Sequence, residues 1–159
     1  MTDHLSHVGP DGKARMVDVS AKPVTARQAR AAGAIQMAPA TLAAIQANSV
    51  AKGDVLGVAR VAGIMAAKRT AELIPLCHPI PVDDIQVLLT PDAALPGIRV
   101  EAITRTSART GIEMEAIVAA TMALVTVYDM AKALDRGMRI TDVHLLEKTG
   151  GSGGDWRGS

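Results

Sequence analysis

From residue 116 to residue 128 only Thr121 and Thr126 interrupt a run of apolar side chains, 13 residues in all. Extended to residues 113–134, the segment reads as a helix that is apolar on every side and has no face to give to water. The run is shorter than the roughly 20 residues that cross a bilayer. It is therefore expected to be buried between the chain's own sheet and a second body, of which a neighbouring subunit is the simplest candidate. The chain has 159 residues, the length of one domain. At this size folding covers roughly two-thirds of the chain's surface, enough for a core without disulfides or a structural metal. That core has to be built from small and aliphatic side chains, because the sequence holds no Phe, one Trp and one Tyr beside eight Met and many Ala, Val, Ile and Leu.

The remaining pattern is arranged around that helix. Residues 16–19 and 25–37 are candidates for extended structure, although the alanines and arginines of the second suit a helix equally well. Pro39 marks a helix start, since proline suits the first helical position, and a short helix is expected to about Asn48. Gly53 separates it from a longer helix, with Asp54 as N-cap and Val55, Val58, Ala62, Met65 and Ala66 on one stripe, ending before Pro75. Ile85, Val87 and Leu89 alternate, as do Ile98, Val100 and Ala102, and the turn signals of residues 91–97 join them into a hairpin. Gly137 closes the apolar helix, and residues 139–146 read as a last strand. Strand, helix pair, hairpin, helix, strand is the order of the split βαβ pattern. The expected fold is α+β and ferredoxin-like, an antiparallel sheet with helices packed on one face. A single domain is expected to fill residues 1–159, with flexible ends over about residues 1–14 and 149–159.

Seventeen Lys and Arg against sixteen Asp and Glu leave a net charge of +1, so no bulk field draws the chain to nucleic acid or to an anionic membrane. The scarcity of aromatics also removes the surfaces on which single-stranded nucleic acid stacks. Neither partner is expected. Cys77, the single cysteine, excludes an intrachain disulfide, a cysteine-rich zinc site and an iron–sulfur cluster held by this chain alone. Residues 1–13 are polar and carry no apolar signal core, which together with the lone thiol predicts a cytoplasmic protein. His4, His7 and His144 lack metal-ligand spacing, so no metal site is expected.

Ionisable residues at the ends of these elements are the candidates for chemistry. Lys52 precedes the long helix and Lys68 stands near its end, either as solvated helix-end charges or as anion ligands and proton-transfer lysines. His78 lies in LIPLCHP (residues 73–79), between an apolar run and a proline that cannot continue a helix. It is either a structural histidine or an imidazole whose direction the rigid turn fixes, as a general acid or base requires. Cys77 could be a nucleophile beside it, but adjacent side chains rarely form a productive dyad. Glu113 and Glu115 open the apolar helix, where acids favour the helix dipole without any further role. Asp129 and Lys132, three residues apart on one helix face after a run that predicts burial, are either a structural ion pair or a proton-transfer site. KTGGSGG (residues 148–154) could wrap a phosphate through backbone N–H groups, but it lacks P-loop spacing and precedes no helix, so it reads as a flexible tail.

Helix geometry limits how these groups combine. Glu115 and Asp129 are 14 residues apart, about 21 Å along a helix, and Lys52 and Lys68 are 16 residues apart, about 24 Å. No small-molecule pocket in one subunit easily gathers both ends of both helices. If these residues share a site, that site is assembled from two chains.

Four strings add a further pattern: MVDVSAK (residues 16–22), KGDVLGVARVAGIMAAKRTAELIPLCHP (52–79), GIEMEA (111–116) and VYDMAKA (127–133). In this order, over nearly the whole chain, they closely resemble the family of cyclic pyranopterin monophosphate synthases, molybdenum-cofactor enzymes that act after a radical GTP cyclase. The resemblance implies a ferredoxin-like subunit in a homohexamer, a trimer of dimers with its sites at subunit interfaces. It implies conversion of (8S)-3′,8-cyclo-7,8-dihydroguanosine 5′-triphosphate to cyclic pyranopterin monophosphate with release of pyrophosphate. By the same resemblance Asp129 is the catalytic acid or base with Lys132 beside it, and Lys52, His78 and Glu113 complete the catalytic set. Leu76, Cys77, His78, Met114, Glu115 and Lys68 then line the substrate, and Arg27 and Lys148 contact phosphate. No cofactor is implied as required, although Mg²⁺ could accompany the triphosphate.

The residues make chemical sense of that assignment. Rebuilding a purine-derived ring needs hydrolytic opening and reclosure through several proton transfers, which suits His, Asp, Glu and Lys and needs no redox centre. Forming a cyclic phosphate then expels pyrophosphate, whose charge calls for Lys and Arg. One cysteine cannot hold the cluster of the preceding radical step, so the substrate comes from another protein, with functional coupling to that cyclase. Where the family commonly ends in Gly-Gly-Lys-Ser-Gly, this chain has Ser152 at the usual lysine position, and the tail is expected to be dispensable. The alternative is a catalytically silent nucleotide-binding regulatory oligomer that keeps the fold. Simple anion binding, however, has no use for Asp129, Glu113 and Glu115 together.

Overall fold

In the computed structural model, which describes residues 8, 9 and 11–158, β1 (Thr25–Gln36) runs through the interior of an antiparallel sheet. The helices α1 (Pro39–Gln46), α2 (Val55–Ala67) and the single turn α3 (Thr70–Leu73) follow it. The hairpin of β2 (Asp84–Asp92) and β3 (Gly97–Ala108), the helix α4 (Glu113–Ala131) and β4 (Arg139–Thr149) complete the split βαβ order. A two-residue strand β5 (Trp156–Arg157) pairs with β4, so the sheet reads β2-β3-β1-β4-β5, the α+β ferredoxin-like arrangement with one added edge. Most of the N-terminal segment read as flexible, including His4 and His7, lies outside the described residues. Residues 16–19 form no strand.

Pairing on both edges settles β1, whose composition suited a helix as well. Its inward side chains Ala29, Ala31 and Ile35 are fully buried, while Arg30 faces outward between Glu101 and Glu147. Small residues on this strand meet small residues on α4, where Ala116, Ala119, Ala120 and Ala123 are all inaccessible to solvent. Close approach is the consequence: a Cβ added at Gly33 of β1 would come within 2.8 Å of the Leu124 Cδ1 on α4.

The helix expected to be apolar on all sides is enclosed from two directions. The sheet covers one flank and α2 covers another, so the second body is largely supplied by the same chain. At 19 residues α4 is long and apolar enough to cross a membrane by length and composition, yet half of its apolar window is buried inside this fold. Thr121 and Thr126, the two interruptions in its run, donate to the carbonyls of Ile117 and Met122 and so satisfy their hydroxyls within the helix. Val125 remains exposed, as do Val58, Val61 and Met65 on the outer side of α2.

Asp54 caps α2 as expected, accepting from the Gly57 amide at 2.9 Å. The contact of α2 with α4 is closest at Gly63, where an added Cβ would stand 2.8 Å from the Ala119 carbonyl oxygen and 3.3 Å from the Ala123 Cβ. Helix propensity alone makes Gly63→Ala stabilising by up to about 1 kcal/mol, but a backbone oxygen cannot move aside without shifting α4. The steric term wins, so Gly63→Ala is expected to destabilise by about 1–3 kcal/mol, measured as a lower urea midpoint at unchanged slope.

Candidate active site

At the N-terminal end of α4 a cavity of about 630 Å³ opens between the loop after α3, the α4 N-terminus and the end of β4. Leu76, Cys77, His78, Glu113, Met114, Glu115, Arg27 and Lys148 all line it, so one place gathers eight of the residues singled out in the sequence. The LCHP segment reaches it because Pro75 and Pro79 keep the chain out of helix between α3 and β2. His78 Nε2 donates to the Val17 carbonyl at 2.7 Å. A carbonyl only accepts, so this bond places the proton of the neutral ring on Nε2 and leaves Nδ1 as the nitrogen able to take one up.

Glu113 accepts from Lys148 Nζ at 3.1 Å through Oε1, while its buried Oε2 finds no partner among the described residues. A Cβ on Gly111 would lie 1.8 Å from that Oε2, so a larger residue there would require the carboxylate to swing out of this position. Glu115, two residues on, is 4% exposed. Burial, and then the negative charge of Glu113, raise its carboxyl above the ordinary value of 4.5. Burial and the same two acids also raise the Cys77 thiol, which disfavours the thiolate that a nucleophile requires. Arg27 is largely committed to the backbone: Nε donates to the Ala108 carbonyl at 3.0 Å and Nη2 to the Arg109 carbonyl at 3.3 Å, leaving Nη1 beside Gly151.

The C-terminal segment, expected to be a flexible end, returns along β4 as β5, and Gly150, Ser152, Gly153, Gly154 and Trp156 form part of the cavity wall. Gly150 and Gly151 make the turn at φ 89° and 83°, a backbone conformation that favours glycine.

Asp129, Lys52 and Lys132 are elsewhere. They form a second cluster at the C-terminal end of α4, beside a cavity of about 440 Å³ that Tyr128, Leu134 and Arg136 also line. Lys52 Nζ lies 2.7 Å from Asp129 Oδ2 and Lys132 Nζ lies 2.7 Å from Oδ1; Lys52 also donates to the Asp129 carbonyl at 3.0 Å. The burial expected for Asp129 is not found: its side chain is 52% exposed, because it lies with Val125 and Lys132 on the outward face of α4, while Met130 and Ala131 of the same turn are buried. The two ammonium groups, Lys132 first, pull its carboxyl down to about 2. It is ionised throughout the neutral range and orients two lysines. Lys68, the C-cap of α2, is exposed and lines neither cavity.

Sequence reasoning did not single out Val17, which holds His78, or Gly111, which makes room for Glu113. Both lie within strings already conspicuous in the chain, but their roles depend on contacts that spacing does not show.

The raised Glu115 carboxyl has a consequence for stability. An acid whose folded pKa exceeds its unfolded value binds more protons when folded, so stability falls as pH rises through that interval. Glu115→Gln removes the ionisation and is expected to gain melting temperature over the native protein at pH 8 but little at pH 4. Melting curves across that range test this, and a pH-independent difference contradicts it.

The model of the MoaC family matches residues 16–151. A cyclic pyranopterin monophosphate synthase of Brucella ovis is 54% identical over 156 residues, covering 98% of this chain and 94% of its own length. Proteins of the same name from Nostoc sp. and Cereibacter sphaeroides are each 55% identical, covering 96% and 98% of this chain and 91% and 98% of their own lengths. With the family model spanning β1 to β4, both ends of α4 and the two clusters, the chain belongs to the MoaC family.

Proposed function

We propose that this chain is a cyclic pyranopterin monophosphate synthase acting in molybdenum cofactor biosynthesis. It converts (8S)-3′,8-cyclo-7,8-dihydroguanosine 5′-triphosphate to cyclic pyranopterin monophosphate and pyrophosphate. The observation that carries the reading is the division of its ionisable residues between the two ends of α4. One end offers a cavity with a buried acid, an orphaned carboxylate oxygen and an oriented imidazole. The other offers two ammonium groups held on one carboxylate. The first set suits ring opening and reclosure by proton transfer, the second suits charge that develops on a triphosphate.

About 21 Å separates Glu115 from Asp129 along the helix, so one substrate touches both sets only if they come from different chains. This favours a homohexamer built as a trimer of dimers, with each site completed across a subunit interface. In such a site Glu115 gives a proton and His78 Nδ1 takes one, while Lys52 and Lys132, kept in place by Asp129, neutralise the phosphates. A hydroxyl of the substrate attacks the α-phosphorus, the bond from that phosphorus to the bridging oxygen breaks, and pyrophosphate leaves with the electron pair. Arg27 Nη1 and Lys148 then hold the departing anion, with Mg²⁺ as an optional companion. The substrate arrives from a radical GTP cyclase in the cytoplasm, since this chain cannot hold that enzyme's cluster.

A coupled assay tests the reading. Purified radical GTP cyclase feeds its product to this protein, and the oxidised fluorescent pterin and released pyrophosphate are quantified beside Asp129→Ala. The native chain is expected to give both products in equal amounts, and the variant at least about a hundredfold less. Intact substrate after incubation with an intact native oligomer would overturn it in favour of a silent nucleotide binder.

A further inference from the structure

The inward row of β3 reads Ile98, Val100, Ala102, Thr104, Thr106, Ala108, and every member is buried. It is aliphatic until the strand approaches the cavity, whose wall continues with Arg109 and Thr110, and there two hydroxyls replace methyl groups. Valine has nearly the same shape, so filling space does not account for threonine at both positions. A buried hydroxyl has to find an acceptor, and the two acceptors found are informative. Thr104, fully buried, donates to the Ile112 carbonyl at 3.1 Å. Thr106, 2% exposed, donates to the Pro81 carbonyl at 2.5 Å.

Ile112 is the N-cap residue of α4, directly before Glu113 and three residues before Glu115. It has no side-chain cap, and its carbonyl receives the first helical amide, that of Ala116, only at 3.4 Å. Pro81 closes the segment that begins with Leu76, Cys77 and His78, and the Asp83 amide ties the next residues to the Arg105 carbonyl at 2.9 Å. Two side chains on one strand, two residues apart, therefore grip the two segments that carry the acids and the imidazole of the cavity. We infer that Thr104 and Thr106 are positioning residues of the active site, fixing the His78 segment and the Glu113–Glu115 turn at a set separation on the rigid frame of β3. The inference rests on the synthase reading for its kinetic consequence but not for its geometric one.

Thr104→Val and Thr106→Val test it, each beside its serine counterpart, at a temperature where all variants are fully folded. Each valine variant is expected to lower kcat/KM at least about tenfold, because small misplacements of reacting groups are costly, and each serine variant to restore it to within about threefold. A hydroxyl that serves stability alone would lower the melting temperature and leave kcat/KM native, and that result overturns the inference, as does serine no better than valine. A second readout needs no turnover: the alkylation rate of Cys77 by iodoacetamide is expected to change at least about threefold in Thr106→Val and to stay native in Thr104→Val, whose grip is on the other segment. If the native protein makes no product, this rate alone decides, and an unchanged rate in Thr106→Val overturns the inference.

Discussion

Helix α4 is held between the sheet and α2 by contacts that leave almost no space: alanines on one side meet alanines and a glycine on β1, and Gly63 of α2 comes against its backbone on another. Interiors packed this way transmit displacement, since no gap absorbs it. The two ends of the helix are therefore fixed relative to each other and to the strands that flank them. Each of the two ionisable clusters takes its position from one end. Glu113 and Glu115 are set by the first turn and Asp129 by the last, with Lys148 from β4 and Lys52 from the turn before α2 brought to them by the same packing.

The helix dipole alone gives the wrong account of these acids. It favours carboxylates at the N-terminus and opposes them at the C-terminus, by roughly 0.3–1 kcal/mol. Yet Glu115, at the favourable end, has its carboxyl raised, and Asp129, at the unfavourable end, has its carboxyl lowered to about 2. Burial decides the first case and paired ammonium groups the second, and both exceed the dipole. The result is one end whose buried acid holds its proton to higher pH than an ordinary carboxyl and another that keeps two positive charges in a fixed geometry.

Much of this was legible in the sequence. The hairpin, the capped α2 and the apolar α4 follow from spacing and from Asp54, and the helix rise already separated Glu115 from Asp129. The alanine-rich β1 was ambiguous because its strand character comes from pairing on both sides, which a local pattern does not contain. Burial of Asp129 was expected from the apolar run before it, but Asp129 falls on the one outward face of that helix, with Val125 and Lys132, while its neighbours Met130 and Ala131 turn inward. The return of the tail as β5 was hidden because two residues carry no periodicity. Thr104 and Thr106 were not singled out, since only the carbonyls they meet, at Ile112 and Pro81, distinguish them.

The central claim is that the two clusters of α4 form one site only across two chains. Mixing Asp129→Ala and His78→Ala subunits after verified exchange measures it directly. Each mixed dimer then holds one site with both defects and one with neither, so about a quarter of native activity is predicted from two inactive parents. Mixed oligomers that remain as inactive as their parents would place both clusters' work within single chains and contradict the account.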